Sequence, residues 1–241
     1  MIAFLTSSPC IYGAPRALLN PENGFTDRLF ACLPKHPRCL FICSSPDDYG
    51  FTDRVSAEMA AAFREAGMNF SRLMKLDRRN QSEAQLLIWQ SDFIILSGGH
   101  VPTQNAFFQQ IGLRELLKNY QGVVLGISAG TMNAAGRVYA QPEERGESVP
   151  EFRRFLPGLG ITQINVLPHY QQVKDDMLDG KRLFEDVTYA DSFGECFFVF
   201  VDGTYLLVKN GKTTLYGEAY CLRDGKMTQI SKSGDCLILE E

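Results

Sequence analysis

The sequence is poor in the features that would assign it to a specialised class. Of its 241 residues only three are histidine and one is tryptophan. It has no basic excess: 24 Lys and Arg stand against 28 Asp and Glu, a net charge of −4. Neither nucleic acid nor an anionic membrane surface is therefore expected as a partner. Nowhere does an apolar run reach the length needed to span a bilayer. The opening Met1-Ile2-Ala3-Phe4-Leu5-Thr6-Ser7-Ser8 lacks the positive start and long apolar core of a signal peptide. The seven cysteines (Cys10, Cys32, Cys39, Cys43, Cys196, Cys221 and Cys236) are odd in number and contain no C-x-x-C pair. A disulfide framework or zinc knuckle is not expected, and reduced thiols in a cytoplasmic protein are. Repeats and low-complexity segments are also missing. What remains, 45% hydrophobic and 22% charged, is the make-up of an ordinary globular protein, with a length that suits a single domain over 1–241.

Apolar segments alternate along the first half. Cys39 to Cys43 reads as a buried strand. Thr52 to Gly67 follows as an amphipathic helix, with Val55, Met59, Ala62, Phe63 and Ala66 on one face, Thr52 as N-cap and Gly67 as the stop. Phe70 to Leu76 reads as a strand, Ser82 to Trp89 as a helix and Phe93 to Leu96 as a strand. Ala106 to Tyr120 reads as a helix, then Val123 to Ile127 as a strand. Continuous apolar strands separated by helices imply a parallel sheet covered on both faces. After residue 195 the pattern changes to strands at Phe197 to Val201, Thr204 to Val208, Thr213 to Cys221 and Met227 to Ile230. Between them stand the hairpin dipeptides Asp202-Gly203, Asn210-Gly211 and Asp224-Gly225. The charged stretch Pro142 to Pro157 reads as a loop. The fold class is α/β: a three-layer sandwich on a mostly parallel sheet, with antiparallel hairpins at the C-terminal end.

Gly126-Ile127-Ser128-Ala129-Gly130 matches G-x-S-x-G, directly after a strand and before a short helix expected at Thr131 to Val138. In that setting a serine with strained backbone angles projects its hydroxyl outward, as a hydrolase nucleophile must. The bland alternative is a glycine-rich turn with a structural serine. A hydroxyl needs a base to take its proton, and the choice is His36, His100 or His169. His36 lies in a proline-flanked basic turn. His169 closes the run Ile164-Asn165-Val166-Leu167-Pro168, at the end of a strand where open α/β sheets place their sites, and is the expected base. Gly99 of Ser97-Gly98-Gly99-His100 and Ala129 are the expected oxyanion donors. His100 would then line the pocket or touch substrate. The carboxylates between Ser128 and His169 are Glu143, Glu144, Glu147 and Glu151, of which at most one can orient the imidazole.

These residues resemble peptidase family S51, which includes aspartyl dipeptidase and cyanophycinase. The likeness rests on Leu96-Ser97-Gly98-Gly99, Gly126-Ile127-Ser128-Ala129-Gly130 and Leu167-Pro168-His169-Tyr170. It implies a flavodoxin-like fold related to class I glutamine amidotransferases, a serine nucleophile, and a serine–acid–histidine order. The acid of aspartyl dipeptidase lies about fifteen residues past its serine, which here is Glu143. The resemblance implies a cofactor- and metal-free peptidase of small peptides such as dipeptides, with Arg182, downstream of His169, as the first candidate to read a substrate carboxylate. Where relatives follow the double glycine with Asn or Asp-Gln, this chain has His100-Val101-Pro102, which puts an Asp preference in question. An esterase or amidase on a small acyl compound, and a non-catalytic binder of an amino-acid-like ligand, are the rival readings. A monomer and a homodimer are equally compatible with the sequence.

Overall fold

The computed structural model describes residues 1–239. Its first half runs β1 (Ile2–Thr6), α1 (Phe25–Ala31), β2 (Arg38–Ile42), α2 (Tyr49–Glu65) and β3 (Arg72–Leu76). There follow α3 (Ala84–Trp89), β4 (Phe93–Leu96), α4 (Val101–Gln110), α5 (Leu113–Leu117) and β5 (Val123–Ile127). Next come α6 (Ala129–Met132), β6 (Arg137–Tyr139), β7 (Phe155–Pro157), β8 (Asn165–Leu167), α7 (Tyr170–Val173), β9 (Met177–Leu178) and β10 (Lys181–Arg182). The chain continues with β11 (Cys196–Phe200), β12 (Tyr205–Lys209), β13 (Lys212–Tyr216), β14 (Ala219–Arg223), β15 (Lys226–Ser231) and β16 (Cys236–Leu239).

The main sheet has eight strands in the order β16-β13-β12-β1-β5-β4-β2-β3. From β1 to β3 every pairing is parallel, and β12, β13 and β16 extend the other edge antiparallel. Successive strand residues point to opposite faces, and both faces here are apolar. Leu40, Ile42, Ile94 and Leu96 pack with Leu87 and Ile88 of α3, Phe107 and Phe108 of α4, and Leu113 and Leu117 of α5. Cys39, Phe41, Phe93 and Ile95 pack with Phe25 and Leu29 of α1 and Met59 and Phe63 of α2. Helices on both faces make the three layers, and burial of each large side chain contributes roughly 1.5–3 kcal/mol. A second sheet, β15-β14-β11-β8, carries a third apolar cluster that includes Leu167, Phe197, Val199 and Leu222. Among the described residues no helix is long and apolar enough to cross a membrane.

Five expectations change. The helix expected from Thr52 begins at Tyr49, because Asp48 is the N-cap and accepts the Phe51 N–H at 2.9 Å. Gly67, at φ 95°, does lie just past its end. The helix expected over Ala106 to Tyr120 is two helices, broken where Gly112 adopts φ 64°. The helix expected over Thr131 to Val138 stops at Met132, where the carbonyls of Asn133 and Ala134 turn to accept the N–H groups of Leu159 and Ile161, and Val138 lies in β6. Asp202-Gly203 is no hairpin turn, since β11 belongs to the second sheet and β12 to the main one. The segment Thr213 to Cys221 likewise divides at Gly217 into strands of different sheets.

Candidate active site

The carboxyl ends of β1 and β5 lie side by side, with Thr6 opposite Ile127. Ser128 comes next, at φ 48° and ψ −110°, a region that costs a non-glycine residue of order 1–3 kcal/mol. What holds it there is visible: its N–H donates to the Thr6 and Ser7 carbonyls, both at 3.2 Å. Thr131 Oγ1 donates to Thr6 O and Thr6 Oγ1 to Gly126 O, each at 2.8 Å. The flanking glycines are needed for closeness. A Cβ on Gly130 would run into the Leu96 carbonyl and lie 2.7 Å from the Leu96 Cβ, and one on Gly126 would lie 2.9 Å from Thr131 Oγ1. Gly98 lies against the serine, its Cβ position 3.5 Å from the Ser128 Cβ. Gly99 follows at φ 152°, where a side chain would also collide with Ser44. Neither the Gly99 N–H nor the Ala129 N–H donates to an acceptor among the described residues.

His169 follows β8 and has φ 59°. Its N–H donates to Ser7 Oγ at 2.7 Å, and its ring Nδ1 lies 2.7 Å from Asp202 Oδ1. Asp202, between β11 and β12, has a side chain only 5% exposed. It also accepts the Ser7 hydroxyl, at 2.7 Å, and the Gln172 amide, while its own N–H donates to Gln171 Oε1 at 3.1 Å. Burial alone would raise the Asp202 carboxyl, but the hydrogen bond and charge of His169, with the bonds from Ser7 and Gln172, outweigh it and hold the group below the usual carboxylate range. An ionised acceptor at Nδ1 calls for a proton on that nitrogen, the tautomer in which a neutral ring carries its lone pair on Nε2. Ser7 is the joint of the arrangement: its carbonyl takes the Ser128 N–H, and its hydroxyl links His169 to Asp202. Among the described residues no hydrogen bond joins Ser128 Oγ to the imidazole, and such contacts commonly tighten only with substrate bound.

The other expected residues lie elsewhere. Glu143, expected to orient His169, makes no bond to it; the nitrogen it would hold is taken by Asp202. Glu143 sits in a loop organised by Glu147, whose Oε2 accepts the N–H groups of Glu143 and Glu144, both at 2.9 Å. The surrounding protein, and after it the charges of Glu147 and Glu144, push the Glu143 carboxyl up to about 8 although the residue keeps an exposed surface. His100 pairs with Glu147 at 2.9 Å and with Thr103 Oγ1 at 2.7 Å. The donor atoms of His100, Glu144 and Glu147 lie within 4.8 Å of one another, but the His100 ring and Glu147 already satisfy each other. Arg182 is bound to Asp186, with Nη2 2.6 Å from Oδ1. Asp202 and Ser7 escaped the sequence reading: Asp202 carried a turn signal and lies beyond the serine-to-histidine interval, and nothing local marks Ser7.

The family model of peptidase family S51 matches residues 21–216. The chain belongs to this family, and membership supports a peptidase. No curated protein matches. Among solved structures it is similar to a peptidase from an acI-B1 Actinobacterium, with TM-score 0.64 and 17% identity over 99% of this chain and 96% of that one. It is also similar to a putative peptidase E protein from Listeria monocytogenes EGD-e, with TM-score 0.56 and 15% identity over 96% and 98% of the two chains. At these identities the likeness is one of fold.

Proposed function

We propose that the chain is a serine-type peptidase of small peptides, with Ser128 as nucleophile, His169 as general base and Asp202 as the acid that orients it. The observation that supports this reading is the carboxylate–imidazole pair of Asp202 and His169, tied through Ser7 to the strained elbow of Ser128. In this mechanism His169 Nε2 takes the Ser128 hydroxyl proton as Oγ adds to the scissile carbonyl. The oxyanion is received by the N–H groups of Gly99 and Ala129. The imidazolium, held by Asp202, returns its proton to the departing amine, and the acyl-serine is cleared by a water activated at the same nitrogen. Glu143 has no place in this relay, and the pairing of Arg182 with Asp186 leaves selection of an N-terminal Asp without a free cation there.

The test is covalent labelling by a fluorophosphonate together with turnover of a dipeptide panel and matched esters. Wild type should label and cleave, and Ser128→Ala should do neither, because loss of the nucleophile costs several orders of magnitude in kcat. Labelling that persists in Ser128→Ala would overturn the assignment. Ester cleavage without any peptide cleavage would replace the peptidase by an esterase.

A further inference from the structure

A cavity of about 550 Å³ opens beside the histidine–aspartate pair, and its walls have a chemistry that the relay does not use. Asp202 forms part of its lining, as does Tyr170, the residue after His169. The Tyr170 ring packs against Tyr220, centroids 5.3 Å apart, and the exposed ring of Tyr12 stands at the rim. Two further carboxylates line the same space, Glu22 and Glu218. Glu22 lies against the residue after Asp202: a Cβ on Gly203 would be 2.9 Å from its Oε2. The half-buried Glu218 accepts the Tyr220 hydroxyl and the Gln229 amide, both on Oε1.

Among the described residues neither Glu22 nor Glu218 has a cation within ion-pair distance. The single cation of the lining, Lys174, is exposed, and the carboxylate nearest its ammonium is its neighbour Asp175 at 3.9 Å. The hydrogen bonds that Glu218 accepts from Tyr220 and Gln229, and that the exposed Glu22 accepts from the Asn20 amide at 3.3 Å, come from neutral donors and leave both charges without a counter-charge, and tyrosine faces attract positive charge on their own account. On the reading of Ser128, His169 and Asp202 as a peptidase site, we propose that this cavity receives a positively charged group of the substrate, an ammonium or guanidinium, between Glu218, Glu22 and the rings of Tyr170, Tyr220 and Tyr12. Substrates with a cationic side chain are then preferred to neutral ones of the same shape, the opposite of an Asp preference.

Two measurements separate this proposal from the hydrolase reading. The first is calorimetric binding of agmatine, which carries both cations, to wild type and to the near-isosteric Glu218→Gln. Wild type should bind, and the variant should bind at least about tenfold more weakly; Tyr12→Ala, at an exposed rim position, should weaken binding as well. Added salt should weaken wild-type binding, because the pairing is partly exposed. The second is the kcat/KM ratio of lysyl over norleucyl, and arginyl over citrullinyl, in alanine dipeptides with the varied residue in either position. Wild type should favour the cation at least about tenfold in one position, with the ratio falling toward unity in Glu218→Gln. If agmatine fails to bind wild type, or binds Glu218→Gln equally well, the cavity proposal is wrong. A preference for norleucine, or for acidic dipeptides lost in Lys174→Met, also overturns it and makes Lys174 the reading group. Agmatine binding with no labelling of Ser128 would keep the cavity and overturn the hydrolase instead.

Discussion

Replacing Asp202 with Asn keeps the shape of the side chain and removes its charge, so it isolates what the carboxylate does for His169. The pair is 2.7 Å apart, and the side chains are 28% and 5% exposed. At an effective dielectric of about 20, unit charges at that separation attract by about 6 kcal/mol. Water at the imidazole edge reduces this, so the imidazolium that forms during turnover should lose about 4–6 kcal/mol of stabilisation, or roughly 10³- to 10⁴-fold in kcat. The same substitution also allows the wrong tautomer, since an amide can donate to Nδ1 and leave the proton on Nε2. The assay is kcat for a small peptide alongside the fluorophosphonate labelling rate, with circular dichroism to show that the fold is intact. Glu143→Gln is the control and should stay within about threefold of wild type, because no bond joins Glu143 to the imidazole. An Asp202→Asn enzyme that keeps a tenth of wild-type activity, or a larger loss in Glu143→Gln, would refute the reasoning and restore the acid to the 142–147 loop.

Three further outcomes follow from the geometry. Ser128→Gly should lose all labelling yet be at least as stable as Ser128→Ala, because glycine relieves of order 1–3 kcal/mol of strain at φ 48° against about 0.5–1 kcal/mol of added chain entropy; a Tm clearly below that of Ser128→Ala would contradict this. Gly130→Ala should destabilise by about 2 kcal/mol or more through collision with Leu96, read as a shifted denaturation midpoint with unchanged slope. The raised pKa of Glu143 means that the folded state holds a proton that the unfolded chain gives up earlier, so wild type loses stability as the pH rises from the ordinary carboxylate range to about 8. Glu143→Gln should therefore gain on wild type in thermal melts between pH 5 and 8; a difference that stays constant with pH would mean that the carboxyl is not perturbed.

The parts of the molecule that could be read from sequence are those whose signal is local. Apolar runs such as Phe93 to Leu96 and the glycines of the elbow state their own conformation, and each strand end expected near the site is there. Gly112 carried the break between α4 and α5 in plain view, but the apolar spacing across it argued for continuity. Asp202-Gly203 shows where local reading stops. A turn and a chain crossing from one sheet to the other use the same dipeptide, and only the pairing of β11 with β8 and β14, and of β12 with β1 and β13, tells them apart. The family order implies an acid between the serine and the histidine. The partner of an imidazole is fixed by proximity in space, and Asp202 lies 33 residues past His169 in the chain. Ser7 is less legible still, because its importance rests wholly on what three distant segments bring to it.

On the proposed mechanism, the arrangement around Ser7 also governs when the protein can first become reactive. Its hydroxyl waits at the end of the first strand, while the groups it joins are separated from it by 162 residues at His169 and 195 at Asp202. A growing polypeptide emerging from the ribosome can present Ser128 long before Asp202 has been synthesised, and β1 stays without its β12 neighbour for the same interval. Its nucleophile is then without an oriented base, so a nascent chain stalled at residue 190 should not react with a fluorophosphonate, whereas the released chain should. Activation is in this sense built into synthesis: the half-made chain poses no hazard to itself or to neighbouring unfolded chains.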